Sequence, residues 1–340
     1  MERHTGGNSA ASRAGAGDAI DAPHGRPVMS VIIPAFNEAG TIGRVVGGVH
    51  EVARELGMSC EVIVVDDGSN DGTGVEASAA GARLITHPYN IGNGAAVKSG
   101  IRNSRGSILV MMDGDGQHPP EEIPAIIGLL DRYDMVVAAR TQDVHEAAMH
   151  RNLANNVYNR FASYICGRKI PDLTSGFRGI RAPIAREILP LLPNTFSYPT
   201  TMTIALIRSG YSVVYHPIRT LGRAGPNKSK IKLFRDGTRF LLIIFKISTL
   251  FSPMKIFLPF SLVTFIFGLS YGLYRIFVWK LGYGPTAAML LSISVLMFLI
   301  GLVSEQIAQQ RYENIIFFKQ AMSTPDSGNR RESVEEKTPP

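Results

Sequence analysis

Asp113-Gly114-Asp115-Gly116-Gln117 follows directly on an apolar run, SILVMM, at residues 107–112. Two carboxylates one residue apart, with an amide oxygen two positions further on, make a hard, anionic oxygen site. Hard divalent cations such as Mg²⁺ take such ligands and commonly hold substrate phosphates as well. Gly114 and Gly116 carry no Cβ, so a large ligand can approach the backbone there. A bare D-x-D also occurs in turns with solvated aspartates. What separates the two readings is whether other polar clusters arrive at the same place.

The elements that must position these residues are legible as apolar runs. Candidate strands are VMSVIIPAF (28–36), CEVIVVD (60–66), ARLITH (82–87), SILVMMD (107–113), MVVAA (135–139) and YSVVYHPI (211–218). Amphipathic helical stretches lie between the earlier ones. This alternation predicts an α/β fold with a mainly parallel sheet covered on both faces. Ligands of such sheets sit beyond the carboxyl ends of the strands. Pro34-Ala35-Phe36-Asn37-Glu38, Asp66-Asp67-Gly68-Ser69 and Asp113-Gly114-Asp115 all fall at such ends. Three polar clusters are therefore expected on one rim, which favours the metal reading of the D-x-D.

The chain has 340 residues and a formal net charge of +7, which suits anionic partners. Aromatic residues make up 8 % and no nucleic-acid motif is present, so membrane lipid or a phosphorylated substrate is expected and nucleic acid is not. Cys60 and Cys166 are the only cysteines, and their spacing indicates neither zinc nor a disulfide framework.

Residues 1–26 are rich in Gly, Ala and Ser and lack apolar periodicity. They are expected to be disordered, and no apolar core of a signal peptide is present. Residues 27–230 are expected to form one α/β domain, the candidate catalytic domain. Residues 231–255 mix bases with apolar residues, as helices lying on a membrane surface do. Ile256–Trp279 is about 36 Å long as a helix at about 1.5 Å per residue, enough to span a bilayer. Residues 286–303 form a second apolar stretch, and 280–285 is a short loop, so 256–303 reads as a transmembrane hairpin. Tyr271, Tyr274, Trp279 and Tyr283 cluster towards the loop, as an interfacial belt does. Lys228, Lys230, Lys232, Arg235, Arg239, Lys246 and Lys255 precede the first span, Arg311 and Lys319 follow the second, and the loop holds Lys280. By the positive-inside rule the catalytic domain and both termini are cytoplasmic. A cytoplasmic helix is expected at 304–321 and a disordered tail at 322–340.

SVIIPAFNE (30–38), VIVVDDGSNDGT (62–73), NIGNGAAVKSGI (90–101), MDGDGQHP (112–119), DLTSGFR (172–178) and the KSK after Arg223 resemble the family 2 glycosyltransferases of GT-A fold. The likeness is strongest to the polyprenyl-phosphate group, the dolichyl-phosphate mannose synthases and the bacterial undecaprenyl-phosphate glycosyltransferases. It runs from about residue 28 to 320.

The resemblance implies that one sugar passes from a nucleotide-sugar, UDP- or GDP-linked, to a polyprenyl phosphate, with Mg²⁺ or Mn²⁺ as the cofactor. It implies an enzyme of the inner membrane and a homo-oligomer, a tetramer among the options. By position, Pro34, Phe36, Glu38, Val65, Asp67 and Gly114 would hold the donor nucleotide. Asp113, Asp115 and Gln117 would bind the metal. Arg140, Arg223 and Ser229 would line the donor phosphates. Asp172, Arg151, Arg178 and Lys230 would be catalytic. Asn93 stands where many relatives carry a base. A processive polysaccharide synthase shares the GT-A core but carries a Q-x-x-R-W motif. The only tryptophan here, Trp279, follows Tyr274-Arg275-Ile276-Phe277-Val278 inside a membrane stretch. A membrane-anchored nucleotide-sugar scaffold without catalysis is a third reading; it would tolerate loss of the metal ligands or Asp172, and both are present.

Plainer roles compete at several positions. Asp66-Asp67-Gly68-Ser69 also suits a strand-to-helix turn with an N-cap. Asn90–Gly94 could cradle phosphate on backbone N–H groups or simply bend. His118 reads as structural, His87 and His216 as strand-end residues without a role, and Met111 and Met112 as core.

Overall fold

The computed structural model describes residues 28–140, 149–220, 249 and 252–323, without the side chains of 149–155, 157 and 311–323. The strands are β1 (Met29–Ala35), β2 (Cys60–Asp66), β3 (Arg83–Thr86), β4 (Ile108–Met111), β5 (Met135–Arg140), β6 (Arg178–Arg181) and β7 (Val213–Ile218). The helices are α1 (Ile42–Glu55), α2 (Thr73–Ala79), α3 (Asn93–Asn103), α4 (Ile123–Leu129), α5 (Met149–Cys166), α6 (Ala182–Ile188), α7 (Tyr198–Arg208), α8 (Met254–Phe277) and α9 (Pro285–Ser323).

Successive strand residues point to opposite faces of a sheet, and β1 shows the consequence. Val31 and Ile33 enter one core with residues of α1 and α4, while Ile32 enters another with α3, α6 and α7. Met111 and Met112 divide between the two faces in the same way and are buried. Burial on both faces explains why these strands read as unbroken apolar runs.

The sheet order is β3-β2-β1-β4-β6-β5-β7. β1 pairs in parallel with β2 and β4, β2 with β3, and β5 with β7. The exception is β6, antiparallel to both β4 and β5. Its sequence, Arg-Gly-Ile-Arg, contains no apolar run, so periodicity does not reveal it. Because β6 runs backwards, its first residue, Arg178, pairs with Met111 at the carboxyl end of β4. The segment before β6 therefore enters the same rim as the carboxyl ends of β1, β2, β4 and β5. From β1 the chain adds β2 and β3 on one side, then crosses back through α3 to place β4 on the other side of β1. Such a switch point is where open α/β sheets bind ligands.

α8 and α9 are both long and apolar enough to cross a membrane. They pack antiparallel, with Ser261 Oγ donating to Ser294 O at 2.9 Å. α9 continues unbroken through 304–323, because no Gly or Pro interrupts the chain after Gly301.

The hairpin is joined to the α/β domain at its foot. Pro259 lies inside α8 and has no N–H for the carbonyl of Lys255. That carbonyl accepts the Tyr164 hydroxyl of α5 instead, at 3.3 Å. Lys255 Nζ donates to the α5 carbonyls of Tyr164 and Ile165 at 2.9 and 2.7 Å. Glu305 accepts Met254 N at 3.1 Å and lies 3.9 Å from Arg208 of α7.

The segment 1–26, the tail from 324, and residues 231–248, 250 and 251 of the expected interface helices lie outside the described residues.

Candidate active site

The Asp113–Gln117 loop leaves β4 at the switch point. Gly114 is buried against Pro34 O and Ile42, which fixes the loop on β1 and α1. The Asp113 side chain is about one third exposed. Asp115 Oδ1 accepts Gln117 N at 3.1 Å. His118 is structural: its Nδ1 accepts Asp113 N at 3.1 Å and its ring stacks on Phe177, centroids 5.2 Å apart.

The 172–177 segment packs onto this loop. A Cβ on Gly176 would lie 2.7 and 2.9 Å from the two Asp113 carboxylate oxygens. Only glycine permits that approach. Asp172 is 6 % exposed and holds a two-pronged pair with Arg140, Nε to Oδ2 at 2.8 Å and Nη2 to Oδ1 at 3.0 Å. Its oxygens also accept the backbone N–H groups of Arg140, Thr174 and Ser175. Arg140 further donates to Thr174 Oγ1 at 2.6 Å. Burial pushes the Asp172 carboxyl up, but the Arg140 guanidinium and the backbone amides outweigh it. The carboxyl ends below its ordinary value. Arg140 moves in the opposite direction, upward, chiefly through its bond to Asp172.

Arg178 is 0 % exposed. Its guanidinium donates to Pro199 O, Thr203 Oγ1 and Ser175 O. Burial pulls it down from its ordinary value, and the fields of Tyr198, Tyr215, Asp172 and Asp113 oppose that. The resemblance implies a catalytic role for Arg178, but the geometry seals it behind Asp113 and Asp172, away from any ligand. It holds the loop and adds positive charge from behind.

The β1–β2 side of the rim is formed by interlocked loops after these two strands. Glu38 N donates to Thr73 Oγ1 at 2.9 Å, Asn37 N to Ser69 Oγ at 3.0 Å, and Asn70 N to Asn37 Oδ1 at 3.1 Å. Phe36 stands at their edge, 45 % exposed. Pro34 and Val65 lie within buried strands, so their side chains belong to the core.

Asp67 is also turned inward, 2 % exposed. It accepts Ile91 N at 3.0 Å and Gly92 N at 2.8 Å, and pairs with His87 Nδ1 at 2.7 Å. Its carboxylate is thus committed to the 90–94 turn rather than turned to the rim. His87 bridges Asp67 to Ser99 Oγ at 2.9 Å, which corrects the expectation of an idle strand-end histidine. His216 likewise pairs with Glu122 at 2.9 Å.

The start of α3 is occupied by protein. Ala95 N donates to Asn194 O at 3.1 Å, and a Cβ on Gly94 would meet Pro193 O at 2.2 Å. The glycines of Asn90–Gly94 serve close packing on the 193–195 segment. Asn93 Oδ1 is buried with no hydrogen-bond partner among the described residues. The side chain of Arg151, and all of Arg223, Ser229 and Lys230, lie outside the described residues.

Residues 30–189 match the model of glycosyl transferase family 2. Over 221 residues the chain is 30 % identical to the polyprenol monophosphomannose synthase of Mycolicibacterium smegmatis, covering 59 % of this chain and 82 % of that one. The chain belongs to glycosyl transferase family 2. Residues 252–310 of this family 2 glycosyltransferase match the GtrB C-terminal hairpin. It is also 25 % identical over 273 residues to the undecaprenyl-phosphate 4-deoxy-4-formamido-L-arabinose transferase of Klebsiella pneumoniae, covering 76 % and 78 % of the two chains. Among solved structures it shares the fold of the Mycobacterium tuberculosis glucosyl-3-phosphoglycerate synthase crystallised with Mn²⁺, UDP and phosphoglyceric acid. There the TM-score is 0.51 and the identity 21 %, over 66 % of this chain and 78 % of that one.

The donor set of this glycosyltransferase fits a hard cation. Among the described residues no group of three or more His, Cys, Asp or Glu forms a self-sufficient metal site. Asp113, Asp115 and Gln117 offer oxygens only. An incomplete oxygen set suits Mg²⁺ or Mn²⁺, which complete their shells with water and substrate phosphate.

Proposed function

We propose that this glycosyltransferase transfers a single sugar from a UDP- or GDP-linked donor to a polyprenyl phosphate at the cytoplasmic face of the inner membrane. The observation that supports it is one rim where the Asp113–Gln117 loop meets the Arg140–Asp172 pair, in a domain tied to an apolar hairpin. Asp113, Asp115 and Gln117 would hold Mg²⁺ or Mn²⁺, and the ion would supply positive charge to the leaving diphosphate. The Mn²⁺ and UDP of the solved relative support a divalent ion. Phe36 offers its exposed face to the base, and Glu38 lies beside it. Arg140 faces the phosphates, with Asp172 holding its guanidinium in place. By their place in the family pattern, Arg151, Arg223 and Lys230 would add positive charge for the phosphates and Ser229 a hydroxyl.

A phosphate monoester has a second pKa of about 6, so the attacking lipid oxygen is already anionic at neutral pH. The obstacle is repulsion between an anionic acceptor and a diphosphate donor. Fixed cations, rather than a strong base, lower that barrier. The bias of Lys and Arg towards the flanks of the hairpin orients the domain to the cytoplasm.

The test is a donor screen in membrane vesicles loaded with undecaprenyl phosphate, the lipid product read by mass spectrometry. Inside-out vesicles should convert one added nucleotide-sugar to a lipid-phosphate sugar, and right-side-out vesicles should not. Product in neither, or equally in both, would overturn the reaction or its sidedness.

Gly176→Ala tests the metal loop from its supporting side. The new methyl must displace the Asp113 carboxylate. Metal titration of activity should show an apparent affinity about 10–100-fold weaker, the usual range for an outer-shell change. An unchanged metal dependence would remove Asp113 from the metal site.

A further inference from the structure

A groove runs along the C-terminal half of α5, outside the machinery above. Asn159, Arg160 and Ser163 of the helix and Arg168, Lys169 and Ile170 beyond it line a cavity of about 510 Å³. The groove is shallow and open to solvent, which suits a headgroup resting on it rather than an enclosed ligand. Its floor is fixed by hydrogen bonds. Asn159 Nδ2 donates to Pro171 O at 2.6 Å and its Oδ1 accepts Leu173 N at 3.1 Å. Ser163 Oγ donates to Asn159 O at 2.6 Å and accepts Ile170 N at 2.9 Å. Its edge is cationic: Arg160, Arg168 and Lys169 are exposed, and none has an ion-pair partner among the described residues.

The groove's position identifies what those charges face. Tyr164 follows Arg160 by four residues, so the two are neighbours on the helix surface. It is 53 % exposed, its ring lies 5.6 Å from Lys255 Nζ, and its hydroxyl bonds the Lys255 carbonyl. Lys255 is the second residue of the apolar helix α8. The groove therefore opens at the foot of the hairpin, beside an exposed tyrosine of the kind that sits at headgroup level. Basic clusters at that level bind anionic headgroups.

We propose that this groove holds the phosphate headgroup of an anionic phospholipid of the bilayer the hairpin enters, separate from the acceptor lipid at the rim. The inference rests on the membrane reading of the hairpin but not on the transfer reaction, and its main readout needs no turnover.

The experiment compares the full chain with R160Q/R168Q/K169Q in neutral detergent. Phosphatidylglycerol or phosphatidylcholine is added, and retained lipid is counted by native mass spectrometry. A Lys or Arg near an anionic surface adds roughly fivefold to affinity. The triple variant should bind phosphatidylglycerol about 100-fold more weakly and phosphatidylcholine equally, and Lys169→Glu alone should shift binding in the same direction. A control of equal charge change at exposed positions elsewhere, R54Q/R102Q/R132Q, should keep the wild-type preference. Undiminished phosphatidylglycerol binding by the groove variants would overturn the proposal. So would an equal loss in the control, which would reduce the effect to net charge. In neutral nanodiscs the groove variant should keep the wild-type KM for undecaprenyl phosphate. A tenfold rise there would assign the groove to the acceptor and overturn it as well.

Discussion

Asp115→Ala is expected to lower sugar transfer by roughly 10³-fold or more while leaving the fold intact. The first part follows from charge. An ion that neutralises a leaving diphosphate contributes several kcal/mol in the transition state, at about 1.4 kcal/mol per tenfold in rate. The second follows from packing. Asp115 is partly exposed on a loop, and its Oδ1 accepts Gln117 N within that loop. Surface changes of that kind usually stay within about 0.5 kcal/mol of stability. The check combines initial rates, titration with Mg²⁺ and Mn²⁺, and a melting curve. Wild-type rates in excess EDTA, or in the variant, would falsify the metal assignment.

The centre of the sheet was legible because its strands are buried on both faces. VIIPA, CEVIVVD and ILVM stand out as apolar runs ending in polar clusters, and those clusters mark the rim. β6 was not legible, since Arg-Gly-Ile-Arg presents charge where a core strand presents aliphatics. Its burial is a tertiary effect: Arg178 finds partners at Pro199 O and Thr203 Oγ1, which local sequence does not contain. The same limit applies to side-chain direction. Asp66-Asp67 at a strand end marks a polar corner, but not that Asp67 turns back to clamp Ile91 and Gly92. The glycines of Asn90–Gly94 resemble a phosphate cradle until the carbonyls of Pro193 and Asn194 are found against them. The apolar spans were likewise readable, whereas the joint at Tyr164, Lys255 and Glu305 depends on residues far apart in sequence.

The Arg140–Asp172 pair, also invisible in the sequence, decides between two roles for Asp172. A general base works best when its pKa lies near the operating pH. Here burial, which raises the carboxyl, is overcome by Arg140 and three backbone amides, and the pKa falls below the ordinary carboxylate value. The sign of the linkage follows. A depressed folded-state pKa stabilises the fold above the unfolded value of about 3.9, and that stability is lost only as pH drops through the still lower folded value. Across neutral pH the group stays ionised, a weak base and a constant partner for Arg140. Asp172→Asn removes one charge of a pair whose other member is 41 % exposed. Solvent screening puts the cost near the low end of the usual range of about 2–5 kcal/mol, or roughly 30-fold in rate. That loss should be parallel to wild type at every pH from about 6.5 to 9. Arg140→Ala should lose at least as much, because it removes the cation proposed to face the donor phosphates. The decisive measurement is the pH–rate profile of Asp172→Asn at saturating lipid. A near-total loss that recovers as hydroxide rises would make Asp172 the base, at the about 10²–10⁴-fold worth of such catalysis, and would leave Arg140 as its partner rather than its purpose.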